Sequence, residues 1–317
     1  MTDDREIKCV GVVGTGVIGA SWAAQFLAKG LDVSATDPAP GAEERMRKFV
    51  EGAWPALNQF GIASTASVNR LRFSPDLAEA LEGVDFVQEN GPERQDIKIE
   101  TYAKMDELLP SDVILASSSS GLTMSPVQAD RRHPERCVIG HPFNPPHLIP
   151  LVEVVGGQET SPEVIQRAIG FYNAIGKRAI HVRKEVPGHV ANRLQAALWR
   201  EVVHLVDEGV VSVADVDAAV CWGPGLRWGV MGPVMLLHLG AGSDGGIRKM
   251  LEHLGGPIES WWKALGNPTI HTPEMKEKLV EGALEESEER SIEELEAERD
   301  RVLLGLLSLR NQTSKGK

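Results

Sequence analysis

Three cysteines in 317 residues, Cys9, Cys137 and Cys221, are too few and too widely spaced for a disulfide framework. They are expected to be three buried, reduced thiols of a cytoplasmic protein. The chain has no C-x-x-C, no H-E-x-x-H and no Cys/His cluster, so no metal site is expected. Basic charge is also short: 33 Lys and Arg stand against 45 Asp and Glu, a net charge of −12. That balance argues against nucleic acid or an anionic membrane as partner. The start, MTDDREIK, is charged and lacks the apolar segment of a signal peptide. The apolar-looking stretch from Cys9 to Ala28 is broken by glycines and a polar turn, and does not read as a transmembrane span. Internal repeats and low-complexity segments are missing too. What remains is an ordinary apolar share, 42%, enough for sizeable cores, in a chain long enough for two domains.

The stretch Ile7 to Asp37 organises the first of them. An apolar run, Val10 to Val13, reads as a buried strand, followed by Gly14-Thr15-Gly16-Val17-Ile18-Gly19, a helical pattern from Ala20 to Lys29, Gly30, and a second strand ending at Asp37. Gly14 permits the tight turn, Gly16 lets a pyrophosphate approach the backbone, and Gly19 lets helix and sheet pack closely. The helix N-terminus around Val17 and Ile18 offers unpaired N–H groups to phosphate. Asp37 can accept both adenosine ribose hydroxyls and would repel a 2′-phosphate, so NAD is expected rather than NADP. A G-x-G-x-x-G alone is weak; strand, glycines, helix, strand and terminal acid in order make it specific.

Further strands are expected at Leu71–Ser74, Asp85–Gln88, Val113–Ala116, Cys137–Gly140, Leu151–Val155 and Ala179–Val182, with helices at Glu43–Leu57, Leu77–Leu81, Ile97–Leu109, Ser125–Ala129 and Pro162–Ile175. This alternation predicts an α/β fold, a Rossmann-type, doubly wound, mostly parallel sheet. Beyond Pro187-Gly188 the pattern becomes helical: Val190–Asp207, a helix opened by Ser212 and Asp215, then Pro233–Leu239, Gly245–Leu254, Thr272–Glu289, and a last helix capped by Ser291 and Glu294 and running to about Arg310. The expected domains are 1–186, binding the dinucleotide, and 187–317, all α, for substrate and dimerisation. The last helix carries Leu295, Val302, Leu306 and Leu309, which need a partner surface, and Gln312 to Lys317 should fray.

In a doubly wound sheet, ligands sit beyond the C-terminal strand ends. The serine run ending at Ser120, His141 and Glu153 are expected there. Oxidising a secondary alcohol needs a base for the hydroxyl proton, and a histidine suits that task. A lone carboxylate in the apolar run Leu151-Val152-Glu153-Val154-Val155 is costly unless paired, and behind His141 it would fix the tautomer and stabilise the imidazolium.

At these residues the chain resembles the 3-hydroxyacyl-CoA dehydrogenase family over essentially its whole length. The matching stretches are VGTGVIG with Asp37, Pro92-Glu93 followed by Lys98, Ser117-Ser118-Ser119-Ser120-Gly121-Leu122, His141-Pro142-Phe143-Asn144-Pro145, Glu153, and Asn192-Arg193-Leu194. The resemblance implies His141 as general base, Glu153 as its partner, and Ser120 and Asn192 hydrogen-bonding the substrate oxygen. It also implies Glu93 and Lys98 lining the cofactor site, and a homodimer formed through the helical domain. Ser118 stands where the family usually has Asn, which alters a contact near the nicotinamide.

The segment Phe49 to Asn69 contains no Lys or Arg, an objection to a CoA tail and its phosphates. Gly225-Leu226-Arg227-Trp228 resembles instead the branch acting on free hydroxy acids, which holds the L-carnitine dehydrogenases and the L-gulonate 3-dehydrogenase/λ-crystallin group. Beside a glycine-rich bend Arg227 would clamp a carboxylate bidentately; otherwise it serves a surface or interdomain salt bridge. Ala197-Leu198-Trp199-Arg200-Glu201, the AGSDGGIRKMLEHLGGPIESWW segment and Ser291-Ile292-Glu293-Glu294-Leu295 resemble those of the carnitine enzymes. A trimethylammonium group binds aromatic faces. Phe143, Trp199 and Trp228 are the candidates, with Trp222, Trp261 and Trp262 behind them; any one of these is otherwise a core or dimer-interface residue. The expectation is NAD-dependent oxidation of an L-3-hydroxy acid to the 3-keto acid, with L-carnitine to 3-dehydrocarnitine first. L-gulonate 3-dehydrogenase, a short-chain 3-hydroxyacyl-CoA dehydrogenase and a non-catalytic, crystallin-like dinucleotide-binding protein are the alternatives.

Overall fold

Strands buried on both faces read as continuous apolar runs, and the run Cys9-Val10-Gly11-Val12-Val13 becomes β1 (Cys9–Val13), inside the sheet. The structure, a computed structural model, describes residues 6–240, 242 and 245–314. The first five residues, Ala241, Ser243 and Asp244 of the glycine-rich segment, and the last three residues of the tail expected to fray lie outside the described residues. The chain divides into two compact units, 1–193 and 194–317.

The first unit is an eight-stranded sheet. Its further strands are β2 (Asp32–Thr36), β3 (Leu71–Phe73), β4 (Phe86–Glu89), β5 (Ile114–Ser117), β6 (Cys137–Pro142), β7 (Leu151–Gly156) and β8 (Arg178–Val182), in the order β3-β2-β1-β4-β5-β6-β7-β8. Strand order reverses between β1 and β4, the switch point at which a doubly wound sheet opens a crevice for a ligand. Neighbours are parallel except β6 and β7, which pair antiparallel. Six helices connect them: α1 (Val17–Ala28), α2 (Ala42–Phe60), α3 (Leu77–Leu81), α4 (Gln95–Leu108), α5 (Ser125–Gln128) and α6 (Pro162–Ala174).

Side chains alternate across the sheet and build two cores. Val10, Val12, Phe86, Ile114, Val138, Val152 and Val154 pack with Trp22 and Phe26 of α1 and Phe171 and Tyr172 of α6. Val13, Val87, Leu115, Ile139 and Val155 pack with Tyr102 and Met105 of α4. The apolar, largely buried α1 is thereby held with its N-terminus at the end of β1.

Two strand readings are corrected. β6 does not stop before His141 but runs to Pro142, because its ladder with β7 continues through His141↔Glu153 and Pro142↔Val152. Glu153 does not lie beyond a C-terminal strand end either. It is the third residue of β7, and only the reversed direction of that strand brings it to the edge where the parallel strands end.

The helices from residue 191 on are α7 (Ala191–Asp207), which enters from the first unit, α8 (Val213–Trp222), α9 (Pro224–Trp228), α10 (Pro233–Gly240), α11 (Gly246–Ala264), α12 (Pro273–Ser287) and α13 (Ile292–Ser314). The Ser291 and Glu294 pair caps α13 reciprocally: the Ser291 amide donates to Glu294 Oε2 at 2.8 Å and the Glu294 amide to Ser291 Oγ at 3.2 Å. Arg227 lies in α9, two residues before its C-cap Gly229, and Pro224 takes the first-turn position that costs no hydrogen bond. α11 does not end at Leu254; it continues past Gly255, Gly256 and Pro257 to Ala264, the flanking turns absorbing the one donor that proline lacks. The thiols also differ from expectation. Cys137 is buried and burial pushes its pKa up to about 12, but Cys9 is half-buried and Cys221 exposed, since the face of α8 that packs inward does so through Val216. All three are unpaired. Among the described residues no helix is long and apolar enough to cross a membrane.

Candidate active site

At the end of β1, Gly14 adopts φ +87°, and a Cβ there would meet the Asn90 backbone at 2.8 Å. A Cβ on Gly19 would lie 1.9 Å from the Gly14 carbonyl oxygen, so both positions require glycine. Around Gly16 there is open space: a Cβ would touch nothing within 4 Å. This is the cradle a pyrophosphate needs, at the N-terminus of α1, with Val17 63% exposed and Ile18 packed beside the core. Asp37 lies at the tip of β2, where Oδ2 accepts the Thr15 amide at 2.8 Å and Oδ1 the Ala39 amide at 2.9 Å. It opens onto a groove of about 800 Å³ lined also by Pro38, Arg47 and Phe73. The residues present fit a dinucleotide with an unphosphorylated adenosine ribose.

Next along the edge, β4 ends in Glu89, and the serine loop follows β5. Lys98, on α4, is buried rather than open: Nζ donates to both oxygens of Glu89 at 2.9 Å and to the Gly91 carbonyl at 3.3 Å. Glu93 reaches the serine loop, where its Oε1 accepts from Ser119 Oγ and the Gly121 amide, each at 2.7 Å, and from the Leu122 amide at 3.2 Å. Burial opposes ionisation of Glu93, but these bonds outweigh it and hold the carboxyl below its usual range. Ser118, in place of the expected Asn, is saturated. Its Oγ accepts from Trp22 Nε1 and Gln88 Nε2 and donates to Asn90 Oδ1 at 2.7 Å. Ser120 is exposed.

The antiparallel pairing places His141 directly across from Glu153, and His141 Nδ1 lies 2.8 Å from Glu153 Oε2. Glu153 is fully buried and His141 is 5% exposed. The other carboxylate oxygen accepts the backbone amides of Val190 at 2.8 Å and Ala191 at 3.0 Å, where α7 begins. Burial pushes the Glu153 pKa up, but the bonds from His141, Ala191 and Val190 prevail and keep it below the usual carboxylate value. An ionised Glu153 can only accept, so Nδ1 of His141 carries a hydrogen, and Nε2 is the nitrogen left to exchange a proton with a substrate. Asn192 Nδ2 donates to the Ser120 carbonyl at 3.1 Å. His141, Glu153, Ser120, Asn192, Glu93 and Ser118 thus belong to one edge of the first unit.

Sequence reasoning missed His189. It is 1% exposed, its ring lies 5.1 Å from that of His141, and its Nε2 is 3.0 Å from the Ser119 carbonyl oxygen. The available signal was a polar residue between Pro187-Gly188 and Asn192-Arg193-Leu194. Phe143 is half-buried, two residues after His141 on the hairpin loop. In the second unit Arg227 is exposed and Trp228 40% exposed, both on α9. Trp199 on α7 lines a separate cavity of about 280 Å³ with Val202, Val216, Leu279 and Leu295, to which neither Arg227 nor Trp228 contributes.

A dinucleotide cradle beside strand ends of this kind defines an NAD-dependent dehydrogenase. The model of the 3-hydroxyacyl-CoA dehydrogenase NAD binding domain matches residues 9–186, and that of the C-terminal domain residues 188–289. The chain belongs to the 3-hydroxyacyl-CoA dehydrogenase family. L-carnitine dehydrogenase from Bacillus cereus is 48% identical over 305 residues, covering 96% of this chain and 93% of the relative. L-carnitine dehydrogenase from Pseudomonas putida is 48% identical over 302 residues, covering 95% and 94%. Among solved structures, an NAD+ dependent dismutase, 5-formyl-3-hydroxy-2-methylpyridine 4-carboxylic acid 5-dehydrogenase, superposes with a TM-score of 0.81 at 32% identity, over 96% of this chain and 98% of its own.

Proposed function

We propose that this dehydrogenase oxidises L-carnitine to 3-dehydrocarnitine, with His141 as general base. The observation that supports the base is the buried pair itself. Nδ1 is tied to a carboxylate whose second oxygen is already held by two amides, so the basic nitrogen is Nε2 and the ring cannot turn without breaking the pair. Bound NAD supplies the acceptor for the hydride leaving the alcohol carbon. The chain handles the proton. Nε2 takes it from the 3-hydroxyl, and the imidazolium so formed faces a carboxylate poised to balance it. Ser120 and Asn192 hold the substrate oxygen, Gly14, Gly16, Val17, Ile18, Gly19 and Asp37 hold the dinucleotide, and Glu93 and Ser118 shape its nicotinamide end. Lys98 acts indirectly, by neutralising Glu89 beneath it.

The substrate reading is supported by the names of the relatives and by the chemistry of carnitine. A carboxylate suits Arg227, and a trimethylammonium group suits aromatic faces such as Phe143, Trp199 and Trp228. The enzyme works as a cytoplasmic homodimer, a setting in which its three cysteines stay reduced. NADH formation with L-carnitine, D-carnitine, L-gulonate, L-3-hydroxybutyrate and its CoA ester in parallel tests the reading. Turnover of L-carnitine above the rest is the expected result. Preference for the CoA ester or for gulonate would overturn the substrate, and turnover of none would favour a binding protein without catalysis.

A further inference from the structure

Four consecutive residues wrap the catalytic edge. The His189 ring reaches the Ser119 carbonyl, the Val190 and Ala191 amides reach Glu153, and the Asn192 side chain reaches the Ser120 carbonyl. A carbonyl oxygen only accepts, so the His189 Nε2 carries a hydrogen, and its Nδ1 in the neutral ring is an acceptor. That Nδ1 is buried and has no hydrogen-bond partner. The backbone here is strained as well: Gly188 and His189 lie one after the other in the left-handed region, at φ +77° and +48°. For a residue with a Cβ this costs roughly 1–2 kcal/mol, and an orphaned buried acceptor costs about 1–3 kcal/mol. An apolar side chain at this position would carry the same backbone cost but leave no buried acceptor orphaned, so space-filling alone does not call for a histidine.

What the two costs provide is a fixed relation between groups from three parts of the first unit. His189 touches the serine loop through its ring, while the turn it sits in aims the next two amides at Glu153. The charged and titratable groups around it are His141, Glu153 and Glu93. Burial pushes its pKa down, in keeping with a neutral ring, although the Ser119 bond works the other way. A neutral ring here adds no second positive charge when His141 takes up a proton.

We propose that His189 is a positioning residue for the oxidation, a neutral Nε2–H donor that anchors the serine loop, and Ser120 with it, against the His141–Glu153 pair. The proposal rests on the reaction inferred above, and its test separates the two. Turnover by the wild-type protein on the acid panel judges the reaction. For the positioning role, His189→Phe keeps ring volume and removes the donor, whereas His189→Gln places an amide nitrogen near the old Nε2. His189→Phe is expected to lower kcat on the order of 10- to 100-fold while KM for NAD and NADH binding stay within about twofold, and His189→Gln to regain most of the loss. If the Phe variant does not fold, the Gln variant retaining kcat within about threefold of wild type carries the answer. Wild-type kcat in the Phe variant, an equal loss in both variants, or a parallel rise in KM for NAD would overturn the proposal. Nitrogen NMR of labelled histidine needs no turnover: at neutral pH His189 should be the neutral Nε2–H tautomer, and a hydrogen on Nδ1 would overturn it.

Discussion

Trp22 in the first unit is fully buried, whereas Trp222, Trp261 and Trp262 in the second are 81, 62 and 65% exposed. The contrast extends to charge. The first unit buries the pairs Lys98–Glu89 and Arg136–Asp106, each with both side chains at most 3% exposed. The ion pairs described in the second unit, such as Arg290–Glu298 and Arg299–Asp300, lie at the surface. Its buried apolar side chains among the described residues are Val202, Val203, Val206, Val216, Met250 and Met275, and Val302 and Leu306 of α13 remain 55 and 39% exposed. One unit is finished from within. The other has helices whose apolar faces await a cover, which is the physical basis for the proposed homodimer.

Four measurements test this contrast. The largest effect is expected at the base: His141→Ala should lower kcat about 10²- to 10⁴-fold and leave NADH binding unchanged. Lost NADH binding would mean that the ring shapes the cofactor cradle instead. Next, Lys98→Met strands Glu89 in the interior and should cost about 3–5 kcal/mol in urea unfolding. A cost near that of a surface pair would show that water reaches Glu89. In the second unit, Trp261→Glu with Trp262→Glu should weaken self-association by roughly 2 kcal/mol per residue in sedimentation, with NADH binding intact; unaltered association would locate the cover elsewhere. The smallest effect concerns Lys177, whose ammonium donates to the Pro146 and Ile149 carbonyls. Burial and nearby Lys29 lower its pKa from 10.5 to about 7. Between those values the unfolded chain holds a proton that the folded chain has released. Stability therefore rises with pH across that window, by up to about 1 kcal/mol per unit. Lys177→Met should flatten the slope between pH 7 and 9.

The first unit was the more legible in sequence for the same reason that it is self-contained. Its glycines, terminal acids and apolar runs each answer to a local rule, and Gly14, Gly19 and Asp37 sit where those rules require. His141 and Glu153 were readable as candidates, but the geometry that joins them depends on β7 running backwards, which no periodicity reports. His189 belongs to no motif, and its neighbours become visible only once the left-handed turn is built. Lys98 read as a cofactor contact because nothing in the sequence says that Glu89, nine residues earlier, would claim it. In the second unit α9 and the far half of α11 were hidden by glycine and proline, whose local cost the surrounding turns override. Cys221 was misplaced because burial there depends on which helix face is covered.

The hairpin between β6 and β7 has one more consequence, for how such genes change. Val152 and Val154 flank Glu153 and are both fully buried. Gain or loss of one codon in the loop at residues 146–150, if the ladder re-pairs by one step, would bring a valine opposite His141 and turn the carboxylate to the other face. The glycine cradle, the sheet order and the helical unit would be untouched. A lineage could thus keep a dinucleotide-binding protein and lose its catalyst in a single event, with every recognisable motif still in place.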